Sequence, residues 1–237
     1  DEVIDITFKQ AAAQTFLVRE LIKFYLTDQA VPESYIKALG EKWANHNFDL
    51  TYLIETFFQS RLFYHPAYRG NLVKSPIHFY LGLCQDLRLN VVPFEGRLLQ
   101  SMNVMGQPFY NPPNVRGWLY GEHWINSTTI SARRQLVDYL FSSLNEKRLN
   151  ANDKRDLDKA RKEERADFLV TDERLASILE MEPTEIAQHL TTYFITAHLR
   201  AAYQPVIEKI VSAAGSPNDG VRHAIIALLQ SPAYNLS

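Results

Sequence analysis

The sequence contains a single cysteine, Cys84, so no disulfide can form within the chain. Cys84 lies in the apolar pattern of a helix, which favours a small core residue over a nucleophile. Glycine is also scarce, with nine residues in 237, and neither a phosphate-cradling glycine loop nor a Gly-x-Ser-x-Gly elbow is present. The sequence therefore predicts neither a nucleotide-binding loop nor a hydrolase of the nucleophile-elbow type.

An excess of charge of one sign is missing as well. The 25 Lys and Arg residues nearly balance the 27 Asp and Glu residues, and the formal net charge is −2. A chain of this kind has no overall field that attracts nucleic acid, so we expect no nucleic-acid partner. No apolar run approaches the roughly 20 residues that span a bilayer, and we expect no transmembrane segment. The first ten residues have neither a basic leader nor an apolar signal core.

Recognisable metal and catalytic patterns are also lacking. The seven histidines are scattered, and His189 and His198 are nine positions apart, which places them on different faces of a helix. Acidic pairs such as Asp156 and Asp158 lie in a charge-rich segment, where a solvated helix face explains them better than a glycosidase pair does. We predict no metal, no cofactor and no catalytic residue.

What the sequence does contain is helical periodicity along almost its whole length. Asp49 can cap a helix whose apolar residues are spaced by three and four: Leu50, Leu53, Ile54, Phe57 and Phe58. No segment offers a convincing alternation of strand residues. The sequence therefore predicts an all-α fold, a multi-helix bundle of about ten helices.

An internal similarity suggests how these helices are grouped. Residues 35–64 align on residues 206–234, and the shared pattern is a helix, a polar turn and a second helix that ends on Gln-Ser and an aromatic residue. With the helices that precede them, we interpret these segments as two related helical triplets. The predicted organisation is a helical core over 1–146, a charged helix or connector over 147–170, and a C-terminal triplet over 171–237 packed on the core.

The most unusual stretch is an aromatic-rich loop, residues 106–127, inside the helical core. It holds five aromatic residues within sixteen positions: Phe109, Tyr110, Trp118, Tyr120 and Trp124. Flat aromatic rings beside amides and charged groups can hold a sugar ring, but the same composition also builds a packed loop. Both interpretations remain open from the sequence, and the ligand-surface interpretation assigns Phe109, Tyr110, Arg116, Tyr120 and His123 to the exposed side.

The helix that follows favours the structural interpretation. If it begins near Thr128, Arg133 is the only charged member of an apolar stripe, and a buried guanidinium without acceptors would cost several kcal/mol. The nearest supply of acceptors is the loop itself, including the Glu122 carboxylate. We therefore predict a clamp in which Arg133 holds the loop in place and the indole rings of Trp118 and Trp124 pack on the helices. Arg134 is expected to face solvent. The clamp residues are Arg133, Trp118, Trp124, Glu122 and Asn126.

One further pair invites a catalytic interpretation. Lys74 and Ser75 are adjacent, as in a Ser/Lys nucleophile, but adjacent residues at a helix start project to different sides. Because Ser75 precedes Pro76, a helix N-cap explains it better.

The loop and its following helix also resemble a known family. MGQPFYNPPNVRGWLYGEHWINSTTISARRQL (105–136) is similar to the signature of the bacterial domain-of-unknown-function family 1800: Gly-Gln-Pro, Pro-Pro, Gly-Trp, Trp-hydrophobic-Asn and Ala-Arg, in that order. Lys74-Ser75-Pro76 and the closing LLQSPAY (228–234) resemble further family elements. The resemblance covers residues 15–141 well, and it implies that this chain is the C-terminal part of a longer member.

The resemblance implies a helical bacterial protein, often exported to the cell envelope or periplasm and frequently encoded beside a sulfatase-like partner family, without known catalytic residues. The function that we expect is a noncatalytic helical module that binds a protein partner or acts as a scaffold. The alternative is a glycan-binding or glycan-hydrolysing domain, with Glu122 or His123 as acid/base in a cleft lined by Trp118, Tyr120 and Trp124.

Overall fold

The computed structural model describes residues 2–237, and twelve α-helices make up most of this range. Within it, no strand forms beyond one isolated antiparallel bridge between Val73 and Leu236. The all-α prediction is confirmed, with twelve helices where about ten were expected.

The chain divides into two compact units at Leu72 and Val73. This division does not coincide with the boundaries predicted at 146 and 170. The physical reason is that one continuous hydrophobic core runs from Phe79 to Tyr234 and includes residues from all three of the predicted segments, whereas the helices before Leu72 have a separate core.

The N-terminal unit contains four helices: α1 (Glu2–Phe8), α2 (Ala11–Tyr25), α3 (Glu33–Asn45) and α4 (Leu50–Phe58). Apolar residues at helical spacing meet in its core, namely Val18, Ile22, Ile36, Leu39, Trp43, Leu53 and Phe57. Asp49 caps α4, since its carboxylate accepts a hydrogen bond from the Tyr52 backbone N–H at 2.9 Å. The predicted cap is confirmed.

The C-terminal unit contains eight helices: α5 (Pro76–Asp86), α6 (Glu95–Val104), α7 (Ser127–Leu140), α8 (Ala151–Lys162), α9 (Asp172–Leu179), α10 (Pro183–Phe194), α11 (Arg200–Ala213) and α12 (Pro217–Leu229). Ser75 caps α5 through a hydrogen bond from the His78 backbone N–H, as predicted from the Ser-Pro pair. Cys84 is buried in the core of this unit, which confirms its expected role.

The two aligned segments form corresponding structures in their respective units. Each consists of two helices joined by a short turn, α3 and α4 in the first unit and α11 and α12 in the second. A further helix precedes each pair, so each unit contains one of the predicted triplets, α2–α4 and α10–α12.

The charged segment forms a helix with one buried face. Leu157 and Ala160 of α8 are buried in the core of the C-terminal unit, and Asp153 is 7% exposed. The Asp153 carboxylate pairs with Arg97 of α6, with an Nη2 to Oδ2 distance of 2.7 Å. Because a buried carboxylate needs a partner, this ion pair fixes α8 against α6.

Candidate functional site

The aromatic-rich loop is fastened at its beginning. Gly106 adopts a φ of 90°, a left-handed conformation that favours glycine, and it turns the chain directly after α6. The Gln107 side-chain oxygen then accepts a hydrogen bond from the backbone N–H of Ile77 at 2.9 Å. Phe109 packs against the core of the C-terminal unit. These contacts hold the first residues of the loop on α5.

The end of the loop is fastened by a capping box. Asn126 accepts a hydrogen bond from the Thr129 N–H at 3.0 Å and donates its own N–H to the Thr129 hydroxyl at 2.9 Å. The same hydroxyl donates to the carbonyl oxygen of Trp124 at 2.9 Å. Trp124 itself is 7% exposed. The loop therefore enters α7 through a buried indole and a helix N-terminus that is closed by a capping box.

Between these anchors the loop presents apolar side chains to solvent. Tyr110 and Val115 are 100% and 105% exposed, and Leu119 and Tyr120 are 58% and 52% exposed. We call these four residues the loop face. Single exposed apolar residues are ordinary on protein surfaces, whereas this loop carries four of them between its two anchors.

The remaining residues predicted for this site are placed as follows. Arg116, Glu122 and His123 are exposed, and Trp118 is half-buried with an indole N–H that has no hydrogen-bond partner among the described residues. Glu122 lines a groove of about 620 Å³ whose other lining residues include Ile125, Ile130, Arg134 and Leu236.

Arg133 is buried at 2% exposure, but its partners are not those that the sequence suggested. Its Nη1 donates to the Asn235 side-chain oxygen at 3.0 Å, and its Nη2 donates to the carbonyl oxygen of Lys74 at 2.8 Å. The prediction that Arg133 pins the loop, with the loop's carbonyls and the Glu122 carboxylate as acceptors, is corrected accordingly: Arg133 joins α7 to Lys74, just before α5, and to Asn235. Burial lowers the pKa of Arg133 to about 10, which leaves it charged at neutral pH.

The adjacent Arg134 is exposed, as expected for the opposite side of α7. The Arg133 side chain also lies 4.9 Å from the centre of the Phe79 ring. An aromatic face on one side and two oxygens at the end of the guanidinium offset part of the cost of its removal from water, while its buried Nε has no hydrogen-bond partner among the described residues.

The family profile described as protein of unknown function, DUF1800, matches residues 1–236. The chain belongs to the DUF1800 family. No curated protein matches it. No solved structure matches it. The match extends well beyond the region where the resemblance was evident from sequence motifs, and it includes the charged residues around α8.

A second cluster in this DUF1800 chain, which the sequence does not predict, is formed by Lys74, Tyr234 and Asp86. The Lys74 ammonium lies 3.8 Å from the centre of the Tyr234 ring, and the Tyr234 hydroxyl donates to the Asp86 carboxylate at 2.8 Å. Burial lowers the pKa of Lys74, the Asp86 carboxylate opposes that shift, and the Arg133 guanidinium adds to it. In the sequence, the only signals for this cluster are the Lys-Ser-Pro motif, which contains Lys74, and the LLQSPAY motif, which contains Tyr234. Neither motif shows that these two segments meet in the fold.

Neither a metal centre nor a membrane span is found within residues 2–237. No group of three or more His, Cys, Asp or Glu residues in this range is arranged to hold a metal ion. None of the helices described combines the length and the apolar character needed to cross a bilayer.

Proposed function

We propose that this DUF1800 chain is a noncatalytic helical module of the bacterial cell envelope or periplasm, and that it binds a protein partner through the loop face. The observation that carries the proposal is the exposure of Tyr110, Val115, Leu119 and Tyr120 on a loop that is fastened at both ends.

The anchoring supports a binding role because it lowers the entropy lost on association. A loop that already has a fixed conformation loses little freedom when a partner packs on it. Tyrosine is among the residues that contribute most at interfaces, since its ring buries a large apolar area while its hydroxyl keeps a polar contact.

The partner that we propose is a sulfatase-like protein, which is the partner that the family resemblance implies. The test is co-expression of the two proteins and affinity purification through a tag on this chain. We expect a complex with the wild-type chain and at least a tenfold loss of affinity for Val115→Asp, because the substitution would bury a charge in the interface.

The matched control is Val206→Asp, which introduces the same charge at a residue of α11 that is 54% exposed and outside the loop face. The proposal is contradicted if the wild type forms no complex, or if Val115→Asp and Val206→Asp bind equally well. Fractionation of bacterial cells that produce the protein from its own gene tests the location, with the protein expected in the periplasmic or envelope fraction.

The alternative function, a glycan-binding or glycan-hydrolysing domain, has less support. Glu122 does line a groove, but Trp118, Tyr120 and Trp124 are not among the described residues that line it, and Trp124 is buried. Glu122→Ala decides between the two proposals: a variant that folds normally and loses a glycan-dependent activity would establish the enzyme.

A further inference from the structure

The cluster around Lys74 brings an amine close to several titratable groups at the start of α5. The Lys74 Nζ lies 3.8 Å from the centre of the Tyr234 ring, and the Tyr234 hydroxyl donates to the Asp86 carboxylate. His78, four positions after Lys74, is exposed, and the Lys74 ammonium is close enough to lower the pKa of its imidazole. The cluster therefore contains an amine, an imidazole, a phenol and a carboxylate.

The Lys74 nitrogen is unpaired and within reach of solvent. Within residues 2–237 it forms neither a hydrogen bond nor an ion pair, and it contacts the face of the Tyr234 ring instead. The Lys74 side chain is half-buried, yet its nitrogen is not among the fully buried side-chain atoms that lack a partner. A small reagent can therefore reach this amine.

The charges around Lys74 favour the neutral amine. Burial lowers the pKa of Lys74 and the Arg133 guanidinium adds to the shift, while the Asp86 carboxylate opposes it. The hydrogen bonds of Arg133 go to uncharged oxygens of Asn235 and Lys74, so no carboxylate contacts that guanidinium. The unprotonated amine, which is the nucleophilic form, is therefore more populated at Lys74 than at an ordinary lysine.

We propose that Lys74 is a modification site, a reactive lysine whose ε-amine forms an imine with small aldehydes. The Lys74 Nζ attacks the aldehyde carbon and forms the C–N bond. The carbonyl oxygen then leaves as water, with the two protons of the amine, and a C=N bond remains. The step needs neither an oxidant nor a reductant. It takes place away from the loop face and does not depend on the proposed partner.

The experiment uses the whole chain, with formaldehyde as the aldehyde and sodium cyanoborohydride to reduce each imine to a stable methylamine. Formaldehyde is chosen because its small size suits a half-buried amine. Peptide mass spectrometry measures the initial rate of methylation at each lysine. Lys154, an exposed lysine of α8, is the internal control in the same sample.

At neutral pH we expect Lys74 to be methylated at least about threefold faster than Lys154, because a larger fraction of the Lys74 amine is unprotonated. Above pH 10.5, the ordinary pKa of lysine, both amines are largely unprotonated and the advantage of Lys74 should disappear. This pH profile separates a lowered pKa from a difference in accessibility.

A change at Asp86 tests the electrostatic origin of the reactivity. Asp86→Asn removes the charge that opposes the shift and retains an oxygen that accepts from Tyr234, so methylation of Lys74 should become faster. Asp138→Asn is the matched control, because the Asp138 carboxylate accepts from the Gln230 side chain at 2.6 Å and lies outside this cluster. It should leave the rate at Lys74 unchanged.

Three results would each overturn the assignment. The first is methylation of Lys74 at neutral pH that is no faster than methylation of Lys154. The second is an advantage of Lys74 that persists above pH 10.5, because accessibility alone would then explain it. The third is a rate at Lys74 that is equal in Asp86→Asn and Asp138→Asn. Circular dichroism confirms that both variants are folded, and the pH profile of the wild type tests the assignment without them.

Discussion

The Arg133 guanidinium donates to the carbonyl oxygen of Lys74 at 2.8 Å, although the two residues are 59 positions apart. The Lys74 N–H in turn donates to the Asn235 carbonyl oxygen at 2.8 Å, and the Asn235 side chain accepts from Arg133. Three distant segments thus meet at one buried cation, which makes Arg133 a structural centre of the C-terminal unit.

Arg133→Met is expected to lower the free energy of unfolding by about 2–4 kcal/mol, because two hydrogen bonds from a charged donor disappear and their acceptors lose a partner. Arg134→Met is the control, since that side chain is exposed, and its effect should stay within about 0.5 kcal/mol. Urea unfolding measures both. Equal stability of the two variants would show that Arg133 does not hold these segments together.

Trp124→Ala should cost about 3–5 kcal/mol, because the buried indole leaves a cavity at the end of the loop. Tyr110→Ala on the same loop should change the stability by no more than about 0.5 kcal/mol, because that side chain is fully exposed. Thermal unfolding, monitored by circular dichroism, measures the stability of both variants. A large loss for Tyr110→Ala would mean that the loop face is structural.

Gly40→Ala and Gly220→Ala are expected to destabilise the chain by about 1–3 kcal/mol each through steric overlap. A Cβ at Gly40 would collide with the Gln14 carbonyl oxygen, and one at Gly220 would lie 2.8 Å from the Val211 carbonyl oxygen. Gly96 in α6 is the control, because apart from its chain neighbours and the adjacent backbone of its own helix nothing lies within 4 Å of the added Cβ. Gly96→Ala should stabilise by about 0.5–1 kcal/mol. Denaturant unfolding of the three variants tests this order.

The pKa of His78 is lowered from its ordinary value of 6.5 by burial and by the Lys74 ammonium, while Asp86 opposes the shift. In Lys74→Gln the pKa of His78 should rise, because a nearby positive charge is removed. Titration of the imidazole protons by NMR measures the change.

The same shift predicts how stability depends on pH. Between the folded pKa of His78 and 6.5, the unfolded chain binds more protons than the folded chain does, so the contribution of His78 to stability falls as the pH falls through this window. His78→Gln should reduce that dependence. An unchanged dependence in His78→Gln would assign it to other groups.

The helices could be predicted because their signals are local. The Asp49 cap, the Ser75-Pro76 start and the apolar spacing of three and four each depend on residues within one or two turns. The capping residue Asn126 was assigned to the clamp instead, although its hydrogen bonds with Thr129 span only three positions. A capping-box pattern was the signal that could have identified it.

The charged segment shows where local signals are insufficient. Its composition indicates a solvated helix, yet Asp153 is buried in α8 because Arg97, 56 positions earlier, supplies the matching charge. A pair of this kind leaves no periodic trace in the sequence.

The sequence by itself determined the all-α class, the order of helices and the family, because hydrophobic periodicity, caps and motif order are properties of neighbouring residues. It also indicated that Arg133 would be buried. Only the tertiary structure decided that Lys74 and Asn235 supply the hydrogen-bond acceptors of Arg133. It also decided that the residues after Leu72 form a second compact unit with its own core. Those outcomes depend on which distant segments meet, and that choice is made by the packing of the whole core rather than by any local stretch of chain.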